Sequence, residues 1–441
     1  MNVDSIVTQV VAAIAIAIGL SYAVGKLFRR MRQPEVIGQL FVGIALGPSL
    51  LGRFSSSVTH TLFPARIVPY LNVTSQVALV LFLFAIGYEL NLRMLRKYRR
   101  TVSVLSISTF AVPVLLGVAS VYVFASWYRA AGEPHARTAA FILFMGVAVS
   151  ITAVPVLASI TGERGIAATV PGATAMTSAA LIDALGWLAL TGVLLVASAS
   201  SSAFRPWTPT VLLLVGYITV TLFIVRPALR LWLRRPHAVL ADKVPVAVVV
   251  AMGSAWVSAA LGLHVIFGAF FAGVMMPRPD NDAPDADILR PVLEAGRLLL
   301  PVFFVVSGLS VNVGALRAQD FALFGVVCAI AISGKAGVGF LAAWATGMGK
   351  RDSSVVGVLL NTRGLTELIA LNVGLQAGII HPRLYTILVL MALAMTAATG
   401  PLLTLIGSHE PGSATETAHV PEAVVVAEGL ASIISADFRG S

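Results

Sequence analysis

Thr177-Ser-Ala-Ala-Leu-Ile-Asp-Ala-Leu-Gly-Trp187 sets one aspartate, Asp183, inside an apolar run from 169 to 197 that holds no other ionisable residue. A bilayer core about 30 Å thick is crossed by roughly 20 apolar residues in a helix, so the run is long enough to span. An ionised side chain near the middle of a span costs about 2.5–3.5 kcal/mol on insertion scales, which makes Asp183 a functional candidate before anything else is known.

The rest of the chain has the same character. Of its 441 residues, 58% are hydrophobic and 11% charged, with a mean hydropathy of +0.91, whereas soluble domains carry roughly 25% charged residues. A water-soluble fold is excluded. Apolar segments lie at about 5–27, 35–52, 68–90, 101–127, 138–161, 169–197, 208–229, 243–261, 262–277, 296–314, 320–346, 354–379 and 383–407. The fold class predicted is an all-α polytopic membrane protein of about 13 transmembrane helices. The first run has no basic residue before it and no small-residue cleavage site, so it reads as a retained helix. Residues 408–441 are too short and too broken in composition to span, and read as a short cytoplasmic tail.

The net charge of +10 does not point to nucleic acid, because the basic residues lie between apolar runs. Most follow odd-numbered runs, in clusters at 26–32, 93–100 and 226–243, while loops after even-numbered runs carry single arginines such as Arg53, Arg66 and Arg317. Positive-inside bias then places the N-terminus outside and the tail in the cytoplasm. The single cysteine, Cys328, excludes a disulfide framework and a cysteine metal site. The histidines are scattered, so no resident metal and no enzyme is expected; His264 reads as an interfacial residue.

An internal repeat orders the runs. Ile37-Gly-Gln-Leu-Phe-Val-Gly-Ile-Ala-Leu-Gly-Pro48 matches Phe267-Gly-Ala-Phe-Phe-Ala-Gly-Val-Met-Met-Pro277, aligning Gly38 with Gly268 and Gly43 with Gly273. Gly87-Tyr-Glu-Leu-Asn-Leu92 matches Gly308-Leu-Ser-Val-Asn-Val313 at the same offset of seven helices. An odd offset turns the copies upside down, the inverted-topology arrangement in which secondary transporters bind substrate near the midplane.

Ionisable groups inside spans are Asp183, Lys335, Arg363 and Glu367, with Glu89 at a helix end where the basic loop beside it supplies a structural partner. Burial makes a bare carboxylate at Asp183 costly, and a proton or a small hard cation relieves that charge on the same oxygens. Such competition is the minimal chemistry of antiport; the structural alternative is a permanent ion pair with Lys335 or Arg363. Two runs carry matching interruptions. Ser150-Ile-Thr-Ala-Val-Pro-Val156 combines hydroxyls with a mid-span Pro155, and Asn361-Thr-Arg-Gly-Leu-Thr-Glu367 combines Gly364 with polar side chains. Pro155 is expected to remove a backbone hydrogen bond and free carbonyls. Unwound backbone at this depth survives only where protein or a cavity surrounds it, so the pair predicts two discontinuous helices crossing beside Asp183. Arg363 and Glu367, four apart, read as an ion pair that neutralises exposed helix ends. Lys335 reads as a structural partner or as a proton carrier.

At these residues the chain resembles the monovalent cation:proton antiporter-2 family, especially the branch of the plant cation/proton exchangers. The similarity is carried by Pro34-Glu-Val-Ile-Gly-Gln39, Leu46-Gly-Pro-Ser-Leu-Leu-Gly52, Ser150-Ile-Thr-Ala-Val-Pro155, Ile182-Asp183, Phe303-Phe304 through Gly308, Gly334-Lys335 and Asn361-Thr-Arg-Gly-Leu-Thr-Glu-Leu368. It implies a sodium/hydrogen exchanger-like transmembrane domain over 1–407. Mobile core helices would lie at about 101–197 and 320–407, and dimerisation or scaffold helices at about 5–90 and 208–314. It also implies a homodimer, Asp183 as the ion-binding and proton-binding carboxylate, Lys335 as its cationic neighbour, and a site completed by Thr152 and the polar atoms around it, Ser150 included. The family usually has Asp or Asn just before the transport aspartate and this chain has Ile182, which favours one-for-one, electroneutral exchange. No soluble regulatory domain follows the last run, so nucleotide gating and a cofactor are not expected.

The leading expectation is therefore Na+/H+ or K+/H+ antiport across the cell membrane by a secondary transporter. Two alternatives share the scaffold: a component of a potassium efflux system, and proton-coupled export of an organic acid or small metabolite in which Lys335 meets the anion.

Overall fold

The computed structural model describes residues 3–407 apart from 32, 55–60, 90–98, 134–137, 168, 201–206, 234–239, 262–264 and 279–283. The tail at 408–441, the basic loop after Glu89 and His264 lie outside the described residues. Within them the elements are helices, with no β-strand. Eleven helices are long and apolar enough to cross a membrane. The expected count of thirteen is not established by length, for a physical reason. The run at 138–161 is divided into Ala139–Ala148 and Val154–Glu163, and the described residues of the run at 262–277 form Val265–Met275, so among the described residues neither run shows one helix of spanning length.

The chain folds into two compact units. One comprises 1–23, 39–91 and 191–310. Its centre is the helix Val68–Glu89, whose buried stretch Ala78–Ala85 is apolar on every side, as a helix surrounded by other helices must be. Glycines from the repeat set its closest approaches. A Cβ on Gly43 would lie 2.5 Å from the carbonyl oxygen of Val305, and Gly308 in turn abuts Gly43. A Cβ on Gly273 would lie 2.0 Å from the carbonyl oxygen of Phe84, and one on Gly87 would lie 2.2 Å from that of Phe270. The residues aligned by sequence therefore make equivalent contacts, each joining one copy to the other: Gly43 with Gly308, and Gly87 beside Gly273. Small residues let membrane helices approach until their backbones touch, which replaces the hydrophobic drive that lipid does not provide. Glu89, half-buried at its helix end, faces Arg297 within this unit.

The other unit comprises 24–38, 92–190 and 311–441. It contains the helix Arg99–Val123, the two divided helices, most of Val170–Ser200, the stretch Ala318–Ala345 and the last helix, Pro382–Leu405. Ala318–Ala345 is α-helical except at Ile332–Gly337, where one π-helical turn widens the backbone around Lys335. Single π-turns of this kind frequently accompany functional sites. At one end of the unit Glu133 is 3% exposed, and its Oε1 accepts the backbone N–H of His381 at 2.6 Å, capping the last helix. Arg383 donates to the Ala130 carbonyl at 3.1 Å and pairs with Asp320.

Two consequences are testable. Gly273→Leu is expected to lower the melting temperature of the detergent-solubilised protein, since overpacking costs about 1–3 kcal/mol. Gly216→Ala, where a Cβ meets nothing within 4 Å, leaves it unchanged; equal melting temperatures for all three proteins refute the packing account. Burial pushes the Glu133 carboxyl up from 4.5 to about 7, against the His381 N–H, which lowers it. The native state then holds the proton more tightly than the unfolded chain does, so the stabilisation is complete below pH 4.5 and is lost as pH rises through 7. Melting curves from pH 5 to pH 8 should fall more steeply for the wild type than for Glu133→Gln, and parallel slopes contradict it.

Candidate functional site

The site is built where the two divided helices meet. Ala139–Ala148 ends at Val149, residues 151–153 run without helical structure, and Val154–Glu163 resumes. Lys350–Leu360 ends at Asn361, residues 362–364 likewise leave the helix, and Leu365–Gln376 resumes. The segments touch through one backbone hydrogen bond, from Ala153 N to the Thr362 carbonyl at 3.2 Å. Gly364 turns the second break at φ 156° and ψ −129°, a region open almost only to glycine. A Cβ there would also sit 2.6 Å from Val156 Cγ2.

Each break leaves helix-end carbonyls that no water can satisfy, and side chains replace the missing donors. The fully buried Arg363 donates through Nη1 to Ala148 O at 3.3 Å and Ile151 O at 3.1 Å, and through Nη2 to Val149 O at 2.7 Å. The same Nη1 meets Glu367 Oε1 at 3.1 Å, so the expected Arg363–Glu367 pair is formed and Arg363 closes the carboxyl end of the first half-helix. Thr152 does the corresponding work for the second: its hydroxyl donates to Leu360 O at 3.1 Å. Lys335 Nζ donates to that hydroxyl at 2.7 Å, placing a cation one bond behind the helix end. From the last helix, the Thr396 hydroxyl accepts Arg363 N at 3.1 Å and bonds back to the Arg363 carbonyl.

Asp183 is 4% exposed on Val170–Ser200. Thr366, in the first turn of Leu365–Gln376, and Lys335 act on its carboxyl, and Trp187 lies one turn beyond it on the same helix. Its Oδ1 has no partner within hydrogen-bond distance. The permanent ion pair considered from sequence is not formed, because Lys335 bonds Thr152 and Arg363 bonds Glu367. The result is a buried carboxylate oxygen beside a helix N-terminus, with cations nearby but not bound to it, an arrangement able to take up a proton or a small cation.

Asp183, Thr152, Lys335, Arg363, Glu367 and Gly364 thus lie in one unit and act at or beside the crossing. Two expectations take a more specific form. Pro155 stands directly after the break at 151–153, in the first turn of Val154–Glu163, where it has no N–H to give Ile151 O and Arg363 donates to that carbonyl instead. Ser150, fully buried, turns its hydroxyl back to Val147 O at 2.8 Å and caps its own half-helix. Sequence reasoning missed Thr366, Trp187 and Thr396. Trp187 was within reach, since positions four apart share a helix face; the partners of Thr366 and Thr396 depend on tertiary placement.

Comparison with known proteins agrees with this geometry. Residues 14–407 match the family model described as the transmembrane sodium/hydrogen exchanger. The chain is 35% identical over 405 residues to the Na(+)/H(+) antiporter NhaS4 of Synechocystis, covering 89% of this chain and 96% of that protein. It is 34% identical to cation/H(+) antiporter 15 of Arabidopsis thaliana over 86% of this chain, and 32% identical to K(+)/H(+) antiporter 1 of Saccharomyces cerevisiae, also over 86%. It spans only 46% and 44% of those two relatives. The fold is that of the sodium proton antiporter MjNhaP1 from Methanocaldococcus jannaschii, with a TM-score of 0.63 at 16% identity over 97% of this chain and 99% of that one.

The capping role of Arg363 predicts a strong asymmetry. Arg363→Met leaves Glu367 buried and unpaired and three carbonyls without donors, and removal of one member of a buried pair costs about 3–5 kcal/mol. Arg363→Lys does not restore it, because one ammonium cannot reproduce the planar fork. Size-exclusion yield and melting temperature in detergent check both variants; a lysine variant as stable as wild type refutes the cap.

Proposed function

The chain belongs to the sodium/hydrogen exchanger family of membrane-spanning secondary transporters, and from that premise we propose that it exchanges a monovalent cation, Na+ or K+, for H+ at Asp183. The observation that carries the reading is the Asp183 carboxyl, buried beside the helix crossing with Oδ1 unpartnered. Proton and cation load the same oxygens one at a time, and that mutual exclusion couples their movements. Thr152 and the backbone around it line the site, Lys335 sets its field, and Arg363 with Glu367 holds the crossing together. Ser150 and Pro155 shape the two half-helices at the first break.

In this reading the segments at about 101–197 and 320–407 form a transport core that alternates access, and those at about 5–90 and 208–314 form a scaffold through which two copies pair. The protein resides in the cell membrane with its N-terminus outside, as the basic clusters at 26–32 and 226–243 favour. Ile182 before Asp183 supports exchange of one cation for one proton.

Proteoliposomes with an imposed pH gradient test this directly. Addition of NaCl or KCl, but not choline chloride, should dissipate the gradient with the wild type and not with Asp183→Asn. A one-for-one exchange should keep the same rate when valinomycin and K+ clamp the membrane potential at different values during Na+-driven exchange. An Asp183→Asn variant that exchanges like wild type removes the site. A wild type that responds to neither cation removes antiport and leaves export of an organic anion to be tested.

A further inference from the structure

We propose that Thr366 is a ligand residue of the transported cation and sets its affinity at Asp183, an inference that rests on the antiport reading above. Thr366 is fully buried in the first turn of Leu365–Gln376, and its hydroxyl lies between two oxygen groups. It bonds the Thr152 carbonyl at 3.3 Å, and Thr366 is among the side chains close enough to act on the Asp183 carboxyl. It therefore joins the unwound segment of the first break, the helix start of the second break and the transport carboxylate.

Among the other hydroxyls at the crossing, those of Thr152 and Ser150 are committed, and that of Thr362 has no partner within hydrogen-bond distance. Thr152 accepts from Lys335 and donates to Leu360 O, and Ser150 donates to Val147 O. Thr366 has one hydrogen and two lone pairs to distribute. The Thr152 carbonyl can only accept, so it competes with Asp183 for the Thr366 hydrogen. When Asp183 holds neither load, Thr366 donates to the bare carboxylate. When Asp183 carries a proton, that proton is donated to the Thr366 oxygen, and the Thr366 hydrogen turns to Thr152 O. When Asp183 binds a cation, the hydrogen again turns to Thr152 O and a lone pair completes the oxygen shell that a hard cation requires. One hydroxyl serves both competing loads without moving its helix. Of the charged groups around it, Asp183 exchanges its load, while Lys335 keeps Thr152 and Arg363 keeps Glu367 in each state.

Thr366→Val keeps the shape and removes the lone pairs. In the proteoliposome assay the expected result is a rise of about tenfold or more in the apparent KM for the cation, as follows from loss of a contact to a charged group, with the maximal rate within about threefold of wild type. Thr366→Ser should return the KM to within about twofold, because it restores the oxygen without the methyl group. An unchanged KM in Thr366→Val overturns the proposal, and so does a serine variant as impaired as the valine one, which would make the role one of packing. If Thr366→Val does not purify as a single species, Thr366→Ala takes its place, and an unchanged KM there overturns the proposal equally. Wild-type protein that shows no cation-driven proton movement instead refutes the antiport reading itself, so the two failures are distinct.

Discussion

Arg363 holds three carbonyls of the first break and one oxygen of Glu367, and the arrangement of the unit that holds Asp183 depends on that set of bonds. Two interrupted helices at membrane depth expose peptide groups that would each cost several kcal/mol if left unpaired in hydrocarbon. A break is possible only if the protein brings donors of its own, and a guanidinium brings five in a planar fork. The break at 149–153 is therefore inseparable from the break at 361–364, since the residue that satisfies the first is part of the second. The Ala153–Thr362 backbone bond and the Thr152–Leu360 and Thr366–Thr152 hydroxyl bonds tighten the same dependence.

The electrostatics follow from the ends thus created. Each break produces one helix carboxyl end, which carries partial negative charge, and one amino end, which carries partial positive charge. Arg363 stands on the first carboxyl end. Lys335 stands behind the second, acting through the Thr152 hydroxyl on Leu360 O. The two basic side chains are thus assigned to the two carboxyl ends, Arg363 with Glu367 as its carboxylate partner and neither bonded to Asp183. Asp183 lies near the first turn of Leu365–Gln376, on the amino-end side, where a negative charge is favoured. Fixed dipoles thus surround a carboxylate that stays free to bind.

Much of this was legible in the sequence, because membrane folding leaves few ways to place a charge or a glycine. The 37–48 and 267–277 repeat could be read without coordinates, and its glycines make the paired contacts Gly43 with Gly308 and Gly273 beside Gly87. Asp183 stood out because nothing else in 169–197 is ionisable. What was not legible was the direction of short polar side chains. Ser150 and Thr366 look alike in sequence as hydroxyls near a break, yet one folds back on its own helix and the other reaches across the crossing. Pro155 shows the same limit: proline disrupts a helix interior and suits a helix start, and only the register of Val154–Glu163 decides which applies. The number of crossings is not fixed by helix length, since the run at 138–161 is made of two short half-helices.

That Lys335 bonds Thr152 and not Asp183 bears on what one transport cycle carries. Were the lysine paired with the aspartate, loading a cation on Asp183 would first have to break that pair, and the lysine charge would change hands during exchange. Here Lys335 is held by Thr152 and through it by the end of Lys350–Leu360, while Arg363 is held by Glu367 and the first break. Neither partnership requires a change when Asp183 is loaded. Asp183 with a proton and Asp183 with a monovalent cation then give the unit that holds it the same net charge. Under the antiport reading the two loaded forms are electrically equivalent, and an isoleucine at 182, which adds no second titrating group, keeps them so. Selectivity between cations must then arise from the oxygen shell, where a hydroxyl such as that of Thr366 counts, and not from a difference in the charge moved.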